Sequence, residues 1–147
     1  MSKIFYTASG YSGREVCFIL EVILLIGEFK QEIMRINNKV NLGLYGQGLA
    51  WQKVEILQDK VLIIANNKRL HALSAMDQKD NLTTTLIDYG LLIEYKRRLK
   101  QELENSFKSK VLAVMKDYDP ATEIAFTFII FEKPVEKVLE ENNNFSN

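Results

Sequence analysis

Glu123-Ile124-Ala125-Phe126-Thr127-Phe128-Ile129-Ile130-Phe131-Glu132 decides the fold, because between its two glutamates every residue except Thr127 is apolar. Its β-branched and aromatic content predicts a strand. Alternation then places Ile124, Phe126, Phe128 and Ile130 on one side and Ala125, Thr127, Ile129 and Phe131 on the other. Both sides are apolar, and a sheet with one face open to water does not tolerate that. Pro134 stops the strand. Two substantial helices cover one face of a small sheet, so the side carrying Ala125, Thr127, Ile129 and Phe131 is the candidate interaction surface, left over for a second copy of the chain.

Upstream, Lys116-Asp117-Tyr118-Asp119-Pro120 reads as a loop leading into this strand, after a short apolar segment from Val111 to Met115. Before it, a long amphipathic helix is expected from about Thr84 to Lys110, with Leu92, Leu99, Leu103 and Phe107 on one stripe and Gly90 marking a kink, a break or a close approach. Arg69 to Asn81 is polar and irregular, with a turn of helix at His71 to Met76. Trp51 to Leu57 and Val61 to Ala65, joined by Gln58-Asp59, form a β-hairpin whose second strand is the more deeply buried. Apolar positions from Val16 through Ile36 recur at steps of three and four and predict a helix of roughly 20 residues, though Val/Ile enrichment leaves its first half ambiguous with a strand. It ends at Asn37-Asn38 before a segment bearing Gly43, Gly46 and Gly48. Residues 1–13 read as loop, 14–133 as one α+β domain, and 134–147, rich in asparagine, as a frayed tail. The expected architecture is α-β-β-α-β, with a small antiparallel or mixed three-stranded sheet packed against two long helices.

A chain of 147 residues with 47% apolar and 26% charged positions is an ordinary single globular domain. Nineteen basic residues offset nineteen acidic ones, so no long-range field draws nucleic acid or an anionic membrane. The basic cluster Lys96-Arg97-Arg98-Lys100 is interleaved with Glu94, Glu102 and Glu104 and reads as a solvated, ion-paired helix surface. The apolar run Val16 to Ile26 is too short to span a bilayer, contains Glu21, and lacks the features of a secretory signal. It reads as a core helix or as the hidden face of a partner contact. Lone Cys17 within it reads as a buried small hydrophobe, which suits a reducing, cytoplasmic setting.

The chemical inventory is thin. The glycines at 43, 46 and 48 precede a strand rather than a helix N-terminus, so they make a turn and not a phosphate cradle. With one histidine, His71, and one cysteine, no zinc site of common type can form, and no serine stands in a nucleophile turn. Asp117 and Asp119 flank Tyr118 and could hold a cation or exchange protons, but they lack further regularly spaced oxygen ligands, and Asp-Pro is ordinary turn chemistry. No cofactor is expected.

Several pieces, taken in order, resemble the MpsC-like family: Tyr45-Gly46-Gln47-Gly48 before Val54-Glu55-Ile56, then Asp59-Lys60-Val61-Leu62-Ile63-Ile64. They continue with the charged helix Glu94 to Phe107 and with Val114-Met115-Lys116-Asp117-Tyr118-Asp119 leading to Phe126-Thr127-Phe128. The resemblance covers roughly Glu32 to Glu132, and it singles out Gly46, Gly48, Asp117 and Asp119 as a motif turn. It implies a soluble accessory component beside the membrane subunits of a sodium-translocating, membrane-potential-generating system, and it brings no catalytic residues with it. The expected function is therefore a non-enzymatic cytoplasmic interaction domain, a homodimer with membrane transport subunits as further partners and with no role in binding nucleic acid. The alternative is a small-molecule-binding regulator or an enzyme using the region around Tyr45, Trp51, His71 and Asp117.

Overall fold

The structure, a computed structural model, describes residues 12–77, 79 and 81–144, so almost all of the expected N-terminal loop lies outside it. The elements run α1 (Gly13–Tyr45), β1 (Trp51–Leu57), β2 (Lys60–Asn66), α2 (His71–Met76), α3 (Asn81–Phe107), β3 (Val111–Asp119), β4 (Ile124–Phe131) and α4 (Val135–Asn144). The chain is α+β, and its sheet has four strands rather than three, all antiparallel, in the order β1-β2-β4-β3. The additional strand is β3. It absorbs the segment beginning at Val111 and takes in Asp117, Tyr118 and Asp119, so the turn starts only at Pro120.

Helix α1 starts at a reciprocal cap in which the Ser12 backbone N–H donates to the Glu15 carboxylate at 2.6 Å. It does not stop at Asn37-Asn38. Asn37 and Asn41 continue the inward stripe of Phe29, Ile33, Ile36 and Val40, and the helix ends only at Gly46, whose φ of +68° makes a left-handed cap. The Gly46 N–H donates to the Leu42 carbonyl at 2.9 Å. Helix α3 ends at Phe107, earlier than Lys110, because Lys108 turns left-handed at φ +49°. The two helices run antiparallel, since Glu32 accepts from Ser106 while Lys39 pairs with Glu102.

Together α1 and α3 cover one face of the sheet. Under them lie Val54, Val61, Ile63, Ala125, Thr127, Ile129 and Phe131, all buried. Phe29, Phe107 and Phe131 form an aromatic triangle with centroid separations of 4.5 to 6.1 Å. The candidate interaction surface Ala125, Thr127, Ile129 and Phe131 is thus the core side of β4, at most 3% exposed. The expected frayed tail, 134–147, is corrected as far as residue 144, and residues 145–147 lie outside the described residues. Residues 135–144 are helical, Val135 and Val138 are buried, and the Asn142 side-chain amide donates to the Phe107 carbonyl at 2.9 Å, tying α4 to the end of α3.

Candidate functional site

Two features stand apart from the core. The first is the opposite face of the sheet, which no described element covers. Ladder register aligns its side chains in rows that cross all four strands: Lys53, Ile64, Phe126 and Asp117 form one row, and Glu55, Leu62, Phe128 and Met115 the next. The centre is apolar, with Phe126 44% exposed, and the Phe126 and Phe128 rings stack along β4 with centroids 6.5 Å apart, while Met115, 46% exposed, extends the apolar surface onto β3. Charge is confined to the margin, where Lys53 pairs with Glu55 at 2.8 Å on β1 and Asp117 sits on β3. A second exposed apolar stretch lies on the first half of α1, with Phe18, Leu20, Ile23 and Leu24 in solvent. Residues 16–26 are therefore no core helix, and Cys17 is exposed rather than buried.

The second feature is a cavity of about 240 Å³ between the C-terminal end of α1, the segment after β2, α3 and β3. A chain of buried amides forms beside it. The Tyr95 hydroxyl donates to Asn37 Oδ1 at 2.6 Å and takes a hydrogen bond from the Thr127 hydroxyl at 3.2 Å. The Asn41 side chain donates to the same Asn37 oxygen, and Asn67 donates to Asn41 Oδ1 at 3.1 Å. This network is why two asparagines are tolerated in the core stripe of α1.

Lys116 reaches the cavity from the helix-facing side of β3. It is 8% exposed, its Nζ lies 3.4 Å from the centroid of the Tyr95 ring and 5.9 Å from that of Tyr45, and it makes no ion pair or hydrogen bond among the described residues. The ring faces solvate the cation in part. Burial nevertheless pulls its amine down from 10.5 to about 7. Burial first, and then the charge of Asp88, push the Tyr45 hydroxyl up to about 12. Arg69 is clamped rather than free. It binds both oxygens of Asp77 at 2.7 Å and reaches Asp88 at 3.0 Å, and these carboxylates raise its already high pKa. Two buried polar atoms on the cavity residues, the Tyr118 hydroxyl and Asn67 Oδ1, have no hydrogen-bond partner among the described residues.

Of the residues singled out in the sequence, Tyr45 and Asp117 line this cavity, whereas Trp51 and His71 do not. Gly46 and Gly48 serve the end of α1: Gly46 is its cap, and a Cβ on Gly48 would come within 3.1 Å of Asn38 Oδ1, which accepts from the Leu49 N–H. Asp119 closes the β3-β4 turn by accepting from the Ala121 N–H and the Thr122 hydroxyl, which holds its carboxyl below the usual range. Lys116 was missed because a lysine between a methionine and an aspartate gives no sign of burial in the sequence. Reading Val111–Asp119 as one strand would not have revealed it either, because a register shift between Val111 and Ala113 puts Lys116 on the same side as Val111. No group of three or more metal-ligating side chains occurs among the described residues, and no described helix is long and apolar enough to cross a membrane. Comparison of the chain with protein-family models, curated proteins and solved structures finds no match.

Proposed function

We propose that this chain works by contact rather than by catalysis, as a two-fold homodimer in which the open sheet faces pack on each other. The observation that carries this reading is the self-complementarity of the cross-strand rows. A two-fold axis parallel to the strands reverses strand order but keeps each residue at its own level. It therefore sets Lys53 opposite the partner's Asp117, Ile64 opposite the partner's Phe126 and Leu62 opposite the partner's Phe128. Apolar side chains meet apolar ones at the centre, Lys53 and Asp117 meet at both margins, and Glu55, already paired with Lys30 and Lys53, faces the partner's Met115.

Four strands spaced ~4.8 Å and seven residues of ~3.3 Å give a footprint of roughly 19 by 23 Å before side-chain relief is added. That relief brings the face to the low end of specific interfaces, roughly 600 Å² per partner. The resemblance to the MpsC-like family supplies the rest of the reading, in which the dimer is an accessory to membrane subunits of an ion-transport system.

The test is a charge exchange read by sedimentation. Lys53→Asp, which sets acid against the partner's Asp117, is expected to weaken the dimer about tenfold or more, and adding Asp117→Lys is expected to restore it. Equal dissociation of the unmodified, single and double variants would overturn the two-fold arrangement.

A further inference from the structure

We infer that the cavity beside Lys116 binds a small organic monocarboxylate, with its carboxylate on the Lys116 amine and the Tyr118 hydroxyl. The inference is independent of the homodimer, because Lys116 and Tyr118 point to the helix side of β3 and the proposed dimer face is the other side.

The first warrant is an electrostatic imbalance. A lysine more than nine-tenths buried almost always has a carboxylate partner, and here Asp88, a carboxylate of the same cavity, is already taken by Arg69. Asp117 lines the cavity as well, but it alternates to the far side of the strand from Lys116 and accepts from the Tyr118 backbone N–H at 2.8 Å. Lys116 is therefore left with ring faces alone, which bind a cation but accept no hydrogen bond in the ring plane.

The second warrant is the pair of orphaned polar atoms. Buried hydroxyls and amide oxygens are rarely left unmade, because each costs the full desolvation of the group. Tyr118 stands two residues from Lys116 on the same side of β3, and its side chain and that of Asn67 both line the cavity.

Size and lining set the class. A volume of about 240 Å³ lies below the ~300 Å³ at which drug-sized ligand sites begin, so nucleotides and large cofactors do not fit. The lining includes Leu70, Leu73, Leu91 and Leu92, which favours a short hydrocarbon body over a polyanion. One unpaired cation matches one negative charge. The depressed amine adds a signature, since an arriving anion restores its proton.

The experiment is calorimetric titration of the full chain with butyrate and benzoate, with benzylamine and benzyl alcohol as controls of matched shape. The expected result is saturable binding of at least one carboxylate and none of the controls, with uptake of protons above neutral pH, detected by comparing buffers of different ionisation enthalpy. Lys116→Met is expected to weaken carboxylate binding about tenfold or more, and Tyr118→Phe by less, because Lys116 brings a positive charge as well as a hydrogen bond to the carboxylate and Tyr118 a hydrogen bond alone. Lys116→Met retains the packing of the aliphatic stem, and proton uptake by the unmodified protein gives a readout that needs no variant. Failure of both carboxylates to bind, benzyl alcohol binding as tightly as benzoate, binding without proton uptake, or undiminished binding by Lys116→Met would each overturn the inference. The Lys53→Asp protein is expected to bind the carboxylate like the unmodified one, so failure of the dimer and failure of the pocket are read separately.

Discussion

At the scale of single residues, the fold is most exposed at Lys116, whose amine titrates near 7 in the folded chain against 10.5 in the unfolded one. Below pH 7 both states carry the charge, and the folded state bears the whole desolvation cost. Between about 7 and 10 the unfolded chain still holds a proton that the folded chain has released, so stability climbs with pH through this window. Tyr45 reverses the trend above it. Its hydroxyl is held up to about 12, so from about pH 10 the unfolded phenol ionises first and stability falls again. Lys116→Met is expected to abolish the climb and to be more stable than the unmodified protein by about 1 to 4 kcal/mol at pH 6, with the gap closing toward pH 10. Urea midpoints at the two pH values measure this, and a Lys116→Met protein less stable at pH 6 would show that the amine is paired after all.

Among the elements, β4 separates what periodicity tells from what it does not. Its two faces were legible in the sequence, because a period of two over Ile124–Phe131 is unambiguous. Which face the helices take was not, since both are apolar and the choice depends on the exit direction of β3 and on where α1 and α3 dock. The outcome places Ile129 and Phe131 in the core and Phe126 and Phe128 outside. Ile129→Lys is accordingly expected to unfold the chain, costing about 3 to 5 kcal/mol, while Phe126→Lys leaves its thermal transition nearly unchanged. Circular dichroism melts would contradict this placement if the two variants behaved in the reverse order. The hairpin of β1 and β2 was legible with its turn at Gln58-Asp59 and its second strand the more buried, and the ladder sets Val54 and Ile63 inward and Lys53 outward. Two other misreadings come from polar residues with partners that only the folded chain provides. Asn37-Asn38 looked like a helix end, yet Tyr95 satisfies Asn37 inside the core and Asn38 accepts from the Leu49 N–H. The asparagine-rich end looked frayed, yet α4 carries Val135 and Val138 three residues apart on one face. Val138→Asp is expected to cost about 2 to 4 kcal/mol by chemical denaturation, a penalty that a loose tail would not incur.

For the molecule as a whole, the helices protect one side of the sheet and leave the other apolar at its centre. Single exposed hydrophobic residues are ordinary, but a contiguous patch of Ile64, Phe126, Phe128 and Met115 across two rows, with charges only at the margin, has the anatomy of an interface. Lys116 and Tyr118 reach the cavity from the helix side of β3, while Asp117 belongs both to its lining and to the open face. The most direct measurement of the central claim is the solution mass of the unmodified chain and of Phe126→Lys by light scattering across micromolar concentrations. Twice the chain mass for the unmodified protein and the single chain mass for a folded Phe126→Lys are the predicted result. A single chain mass for the unmodified protein contradicts the account, and a dimer untouched by Phe126→Lys moves the interface to the exposed apolar residues 16–26 of α1.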